Sequence, residues 1–81
     1  MNEVMINIEL ERLPEGVWLA TSEDMPGLVA QGRTVAETLE IARDAVRRLV
    51  ESYIEHGDPL PPAFAREAPE HLAVQVPVEV A

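Results

Sequence analysis

The sequence predicts an α+β domain of order β-β-β-α-β: a four-stranded mixed sheet, strand order 3-2-1-4, with one long helix on one face. Three observations carry this expectation. Apolar and polar residues alternate near both ends of the chain, as in half-buried strands. One central stretch, and no other, keeps a helical period over about six turns. Turns rich in Pro and Gly separate the segments.

Val4, Ile6, Ile8 and Leu10 alternate with Met5, Asn7, Glu9 and Glu11, which gives strand one a single buried face. Leu13-Pro14-Glu15-Gly16 is a turn, and Val17 to Ser22 returns as strand two of a hairpin. Met25-Pro26-Gly27-Leu28 has the Pro-Gly arrangement of a type II turn. Leu28 to Gln31 is a short third strand, and Gly32 is expected to break it before the helix. Thr34 caps the helix, and Glu37, three residues on, is placed to reach back to the Thr34 N–H as a capping box. Val35, Leu39, Ala42, Val46, Leu49 and Tyr53 form the apolar stripe, widened by Val50. Glu37, Glu40, Asp44, Arg47, Glu51 and Glu55 lie opposite. His56-Gly57 closes the helix, and Pro59, Pro61 and Pro62 prevent its return. Pro59 to Pro69 is a connector without a period. Leu72, Val74, Val76, Val78 and Val80 alternate as strand four, where Pro77 requires a sheet edge. A crossover through a helix makes strand four parallel to its neighbour, most simply strand one.

Composition excludes several chemistries. The chain has 81 residues and no Cys, which rules out disulfides, thiolate metal sites and thiol nucleophiles. It has no Lys, hence no Schiff base and no P-loop lysine. Its net charge of −9 disfavours nucleic acid and anionic membranes and favours a basic partner. With no apolar run near the ~20 residues of a membrane span and no signal peptide, a cytoplasmic location is expected.

Gly16-Val17-Trp18-Leu19-Ala20, Asp24-Met25-Pro26-Gly27-Leu28, Gln31-Gly32-Arg33-Thr34, Glu37, and Gly57-Asp58-Pro59-Leu60-Pro61 form an ordered set. At these spacings the set resembles the HicB-like antitoxin family, over roughly residues 3 to 80. The residues carrying the motif are Pro26, Gly27, Gly32, Thr34, Glu37 and Gly57. Glu23, Thr38 and Leu28 depart mildly, standing where the family often has Pro, Ala and Cys. The resemblance implies a partial RNase H-like fold. It implies a protein-binding role in a toxin-antitoxin system, against a HicA-like toxin: small, basic and RNA-cleaving. Many members add a C-terminal operator-binding domain. Residues 1–81 are expected to be a single HicB-like domain without one, similar to the stand-alone members of the family. A stand-alone oligomer of regulatory or structural role, with no toxin, is the alternative.

No catalytic, cofactor-binding or metal residue is expected. RNase H-type cleavage needs carboxylates converging on two metal ions about 4 Å apart. Glu9 and Glu11 share a strand face, with Glu79 as a candidate third, but no strand carries an Asp, and solvated strand glutamates are the simpler reading. His56 fits a helix cap better than a metal site, since only His71 could join it. Ser22 and Ser52 lack the nucleophile-elbow pattern. Arg47 and Arg48 have acidic residues within one helical turn, Asp44 four before Arg48 and Glu51 four after Arg47.

Acidic Glu9, Glu11, Glu40 and Asp44 are the expected partner-facing residues, steering a basic surface. A homo-oligomer, dimer or tetramer, is also expected, because one helix leaves much of a four-stranded sheet uncovered. Met5, Trp18 and Ala20 are placed on that open face, with Leu28 and Val29 on strand three as further interface residues. Alternation alone does not fix which face of strand two meets the helix, so a core position for Trp18 is the alternative.

Overall fold

A computed structural model describes residues 3–65, 71, 73, 75–78 and 80. It is an α+β fold with one helix and a three-stranded antiparallel sheet. The elements are β1 (Glu9–Arg12), β2 (Trp18–Thr21), β3 (Ala30–Gly32) and α1 (Val35–Glu55), followed by a 3-10 turn at Pro62–Ala65. The strands lie in the order β1-β2-β3. Of the expected fourth strand, Leu72, Val74 and Glu79 lie outside the described residues, and the described positions 75–78 and 80 are in no strand.

The β1–β2 hairpin closes with Gly16 N–H on the Leu13 carbonyl at 2.9 Å and Leu13 N–H on the Val17 carbonyl at 2.8 Å. Gly16 has φ +93°, a left-handed position in which a side chain is strained. In the register, Leu10 faces Ala20 and Ala20 faces Ala30. This row belongs to the core, joined there by Ala42 of α1, with Ala20 and Ala42 wholly buried. The three alanines along this line allow the helix to approach the sheet closely.

The period-two pattern of strand one holds further than its ladder does. Val4, Ile6 and Ile8 are half-buried and Met5 and Asn7 exposed, yet β1 begins only at Glu9. The reason is that β2 ends at Thr21, and side chains take over its hydrogen bonding. Asn7 N–H donates to Asp24 Oδ2 at 2.7 Å, and the Ser22 hydroxyl donates to the Asn7 carbonyl. Asp24 N–H then donates to Ser22 Oγ at 3.1 Å, which holds the loop in place.

The turn after that loop is of type II, with Leu28 N–H on the Met25 carbonyl at 3.2 Å and Gly27 at φ +91°. It drives Met25 and Leu28 into the core rather than starting a strand, so β3 begins at Ala30, two residues later than expected. Gly32 is the last residue of β3, paired with Trp18, and not the breaker ahead of the helix. Its role is steric. A Cβ at Gly32 would lie 2.6 Å from Thr38 Oγ1, 2.9 Å from Thr38 N and 3.0 Å from Thr38 Cα. Thr38 is fully buried and donates its hydroxyl to the Thr34 carbonyl at 2.6 Å.

Helix α1 forms where the stripe predicts. Ala42 is buried, and Val46, Leu49, Val50 and Tyr53 are half-buried against the core. Thr34 is the N-cap, accepting Glu37 N–H at 3.0 Å. The return half of the box differs from expectation, because Glu37 Oε1 accepts from Arg33 N–H at 3.1 Å. The C-terminus is a Schellman closure. Gly57, at φ +69°, donates to the Ile54 carbonyl at 3.1 Å, and Asp58 N–H reaches the Tyr53 carbonyl at 2.9 Å. His56 caps as expected, with Nδ1 2.8 Å from the Ser52 carbonyl. The connector is more structured than its sequence predicts: Ala63 is buried and Phe64 packs on the core.

Two stability results are expected. Gly32→Ala sets a methyl group against helix backbone, which cannot rotate away, and should lower the urea-unfolding free energy by about 1–3 kcal/mol. Thr34→Ala removes the N-cap acceptor and should lower it by about 1 kcal/mol. Equal stability of both variants with wild type would refute this account of the helix start.

Candidate functional site

The residues singled out from sequence fall on three surfaces. The first is the sheet face turned from the helix. Glu9 and Glu11 point there from β1, since their neighbour Leu10 enters the core and both glutamates are exposed. Glu9 pairs with Thr21 and Glu11 with Leu19, which itself pairs with Gln31. Val29 is 66% exposed and Met5 42% exposed. Leu19 thus shares this face with the two glutamates by register, and Met5 and Val29 are exposed just outside the strands.

The second surface is the outer face of α1. Glu40 is exposed there, and Asp44 is one turn on. Asp44 Oδ2 is 2.9 Å from Arg48 and Asp44 Oδ1 is 3.6 Å from Arg47. Both arginines thus answer Asp44, where the spacing had offered Glu51 to Arg47. These pairs are solvated and contribute little to stability. Of the four acidic residues expected to face a partner, Glu9 and Glu11 lie on the sheet and Glu40 and Asp44 on the helix, the elements on which the sequence places them.

The third surface is the rim where the sheet meets the helix N-terminus, and it revises the placement of Trp18. Ala20 is wholly buried in the core, so it is not on the open sheet face. Trp18, two residues before it on β2, shares its side of the sheet. Leu28 is also a core residue, 3% exposed. The physical reason is parity: strand two has apolar residues on both faces, and the small Ala20 fits beneath the helix where Leu19 would not. Of the five residues expected at an interface, Met5 and Val29 keep an open position.

Among the described residues, no three His, Asp or Glu converge on a point that could hold a metal ion. No helix among them is long and apolar enough to cross a membrane. Sequence reasoning missed the Ser22–Asp24 clamp, although a Ser-x-Asp pair after a strand is a known source of local side-chain to backbone bonds.

Residues 4–76 match a family described as a domain of unknown function, DUF1902. The antitoxin HicB of Escherichia coli strain K12 is 32% identical over 74 residues, covering 91% of this chain and 53% of that protein. The antitoxin HicB of Escherichia coli O157:H7 matches to the same extent. The chain spans about half the length of these curated relatives. The matched region includes both strands of the hairpin, the Pro26-Gly27 turn, the Gly32 contact and the whole of α1 with both caps. The chain belongs to the DUF1902 family and is a HicB-like antitoxin family member.

Proposed function

We propose that this chain is a non-enzymatic protein-binding module that neutralises a small, basic, RNA-cleaving toxin of HicA type. The observation that carries the reading is the likeness to antitoxin HicB along nearly the whole chain. The open sheet face supports it, with Glu11 paired to Leu19 and Glu9 to Thr21, and with Met5 and Val29 exposed just outside the strands. In this reading the acidic pair steers the toxin and the apolar residues supply the contact. Asp44, already paired with Arg47 and Arg48, takes a minor part.

The same reading includes a fourth strand from residues 72–80 beside β1, which gives the order 3-2-1-4 and a partial RNase H-like unit. One fact favours it: the outer edge of β1 has no partner strand among the described residues. Val76, Val78 and Val80 occupy alternate positions, and at 68%, 73% and 85% exposed they are not packed as a buried strand face would be. A cytoplasmic location and an even-numbered homo-oligomer complete the reading. Those exposed valines favour the second reading, an oligomer that works without a toxin, because association with a second copy would bury exposed apolar side chains.

The test is a search for a small basic reading frame beside this gene, followed by co-expression with it; absence of such a frame favours the second reading. Co-purification, with growth rescued from that frame's toxicity, is the expected result. Glu9→Lys with Glu11→Lys should slow association about tenfold or more at low salt, with a smaller effect at high salt. Association unaffected by the double reversal would remove the sheet face from the toxin contact. A partnerless chain that sediments as an oligomer would favour the second reading.

The purified chain is also expected to leave RNA and single-stranded DNA intact in Mg²⁺ or Mn²⁺. Cleavage that Glu9→Gln abolishes would overturn the non-enzymatic reading.

A further inference from the structure

A cleft of about 540 Å³ opens at the rim between the sheet and the start of α1. The ladder registers build it. Arg12 faces Trp18 across the hairpin, and Trp18 faces Gly32 across the next pair. This row lies on the helix side of the sheet, because Leu10 and Ala20 along the same strands enter the core. Gly32 has no side chain to fill the space, and Arg33 follows it directly. Arg12, Trp18, Arg33, Val35, Ala36 and Val78 thus come to line one cleft.

Two facts set it apart from the rest of the surface. First, it is a cationic site on a chain of net charge −9. Arg47 and Arg48 are answered by Asp44, whereas the guanidiniums of Arg12 and Arg33 have no ion pair or hydrogen bond among the described residues. Arg12 and Arg33 both line the cleft, and two guanidiniums are the groups that suit a doubly charged oxyanion. Second, the rest of the wall is apolar and aromatic, with Trp18, Val35 and Val78 beside the charges. The first-turn N–H groups of Val35 and Ala36 add donors, since Thr34 Oγ1 is taken by Glu37 N–H. The Glu37 carboxylate is engaged by the backbone N–H of Arg33 at 3.1 Å. The volume is in the range of small-ligand sites.

We infer that this cleft binds a small phosphate monoester carried on an aromatic group, of the nucleotide class. The arginines hold the phosphate and the Trp18 wall holds the ring. Long nucleic acids are disfavoured by the net charge, which acts on every phosphate of a polymer but on a single one here. The site is distinct from the sheet face assigned to the toxin and does not depend on that reading.

Trp18 is the only tryptophan, so its fluorescence reports from the cleft itself. The full chain is titrated at low salt with adenosine monophosphate, inorganic phosphate and adenosine, followed by emission and by calorimetry. Adenosine monophosphate is expected to saturate with Kd below about 1 mM. Arg12→Gln or Arg33→Gln should weaken it about tenfold, and Arg33→Lys should recover part of that loss. Arg43→Gln, an exposed arginine outside the cleft, should change nothing. The variants should keep the wild-type urea midpoint, which separates lost binding from lost folding. Inorganic phosphate binding as tightly as the nucleotide would support the arginine pair and assign the site to free phosphate. Adenosine binding as tightly as its monophosphate, no saturation up to about 10 mM, or indifference to both arginine variants would overturn the inference.

Discussion

The contact on which the rest of the structure depends is the approach of Gly32 to Thr38. It places the last residue of β3 against the backbone of the first helical turn. A helix that starts three residues after a strand has little slack, so this contact sets where α1 lies over the sheet. Everything buried follows from it. Ala42 arrives over the line of Leu10, Ala20 and Ala30, and the apolar stripe falls along the sheet rather than beside it. Thr38 is a polar residue in a fully buried position, which is tolerated because its hydroxyl is satisfied on the Thr34 carbonyl. One threonine pair therefore serves both the cap and the seat of the helix.

Small residues at the closest approach make the core thin, and larger ones compensate at its margins. Met25 and Leu28 enter from the type II turn, and Phe64 enters from the connector beyond the helix. Residues outside the strands and α1 thus supply part of the core. The Asn7–Ser22–Asp24 bonds act where the ladder of β2 stops. They satisfy backbone groups that a longer β2 would have paired.

What was legible in the sequence was local. The helix, the Thr34 cap, the Gly57 closure and the Pro26-Gly27 turn depend on residues at most a few positions apart, and each was readable from spacing and residue type. The capping box erred by one residue, because Glu37 finds the Arg33 N–H as easily as that of Thr34. The face of β2 was not legible. Trp18 and Ala20 on one side and Val17, Leu19 and Thr21 on the other are both acceptable core rows, and only the close seat of the helix selects the alanine. Spacing likewise assigned Glu9 and Glu11 to the strand and Glu40 and Asp44 to the helix without relating the two surfaces. Period-two and period-3.6 patterns each assign a face to one element, but neither states which faces of two elements end on the same side.

That separation shapes how the molecule can act. Its helix side is closed by packing, and on the outer helix surface Asp44 is answered by Arg47 and Arg48, while Glu40, Glu51 and Glu55 stay exposed. Two further surfaces differ in character: acidic on the open sheet, basic and aromatic at the rim. A net charge of −9 draws a basic partner from any direction, but attraction alone gives no orientation. Orientation requires apolar contact at a fixed place, and Met5, Leu19 and Val29 are the residues able to provide it on and beside the acidic face. The rim selects opposite chemistry within the same small domain. A partner on the sheet and an anion at the helix start would occupy opposite sides of β2, with Leu19 facing one and Trp18 the other. Adjacent residues of a single short strand thereby separate the two sites, so a change at one face need not disturb the other.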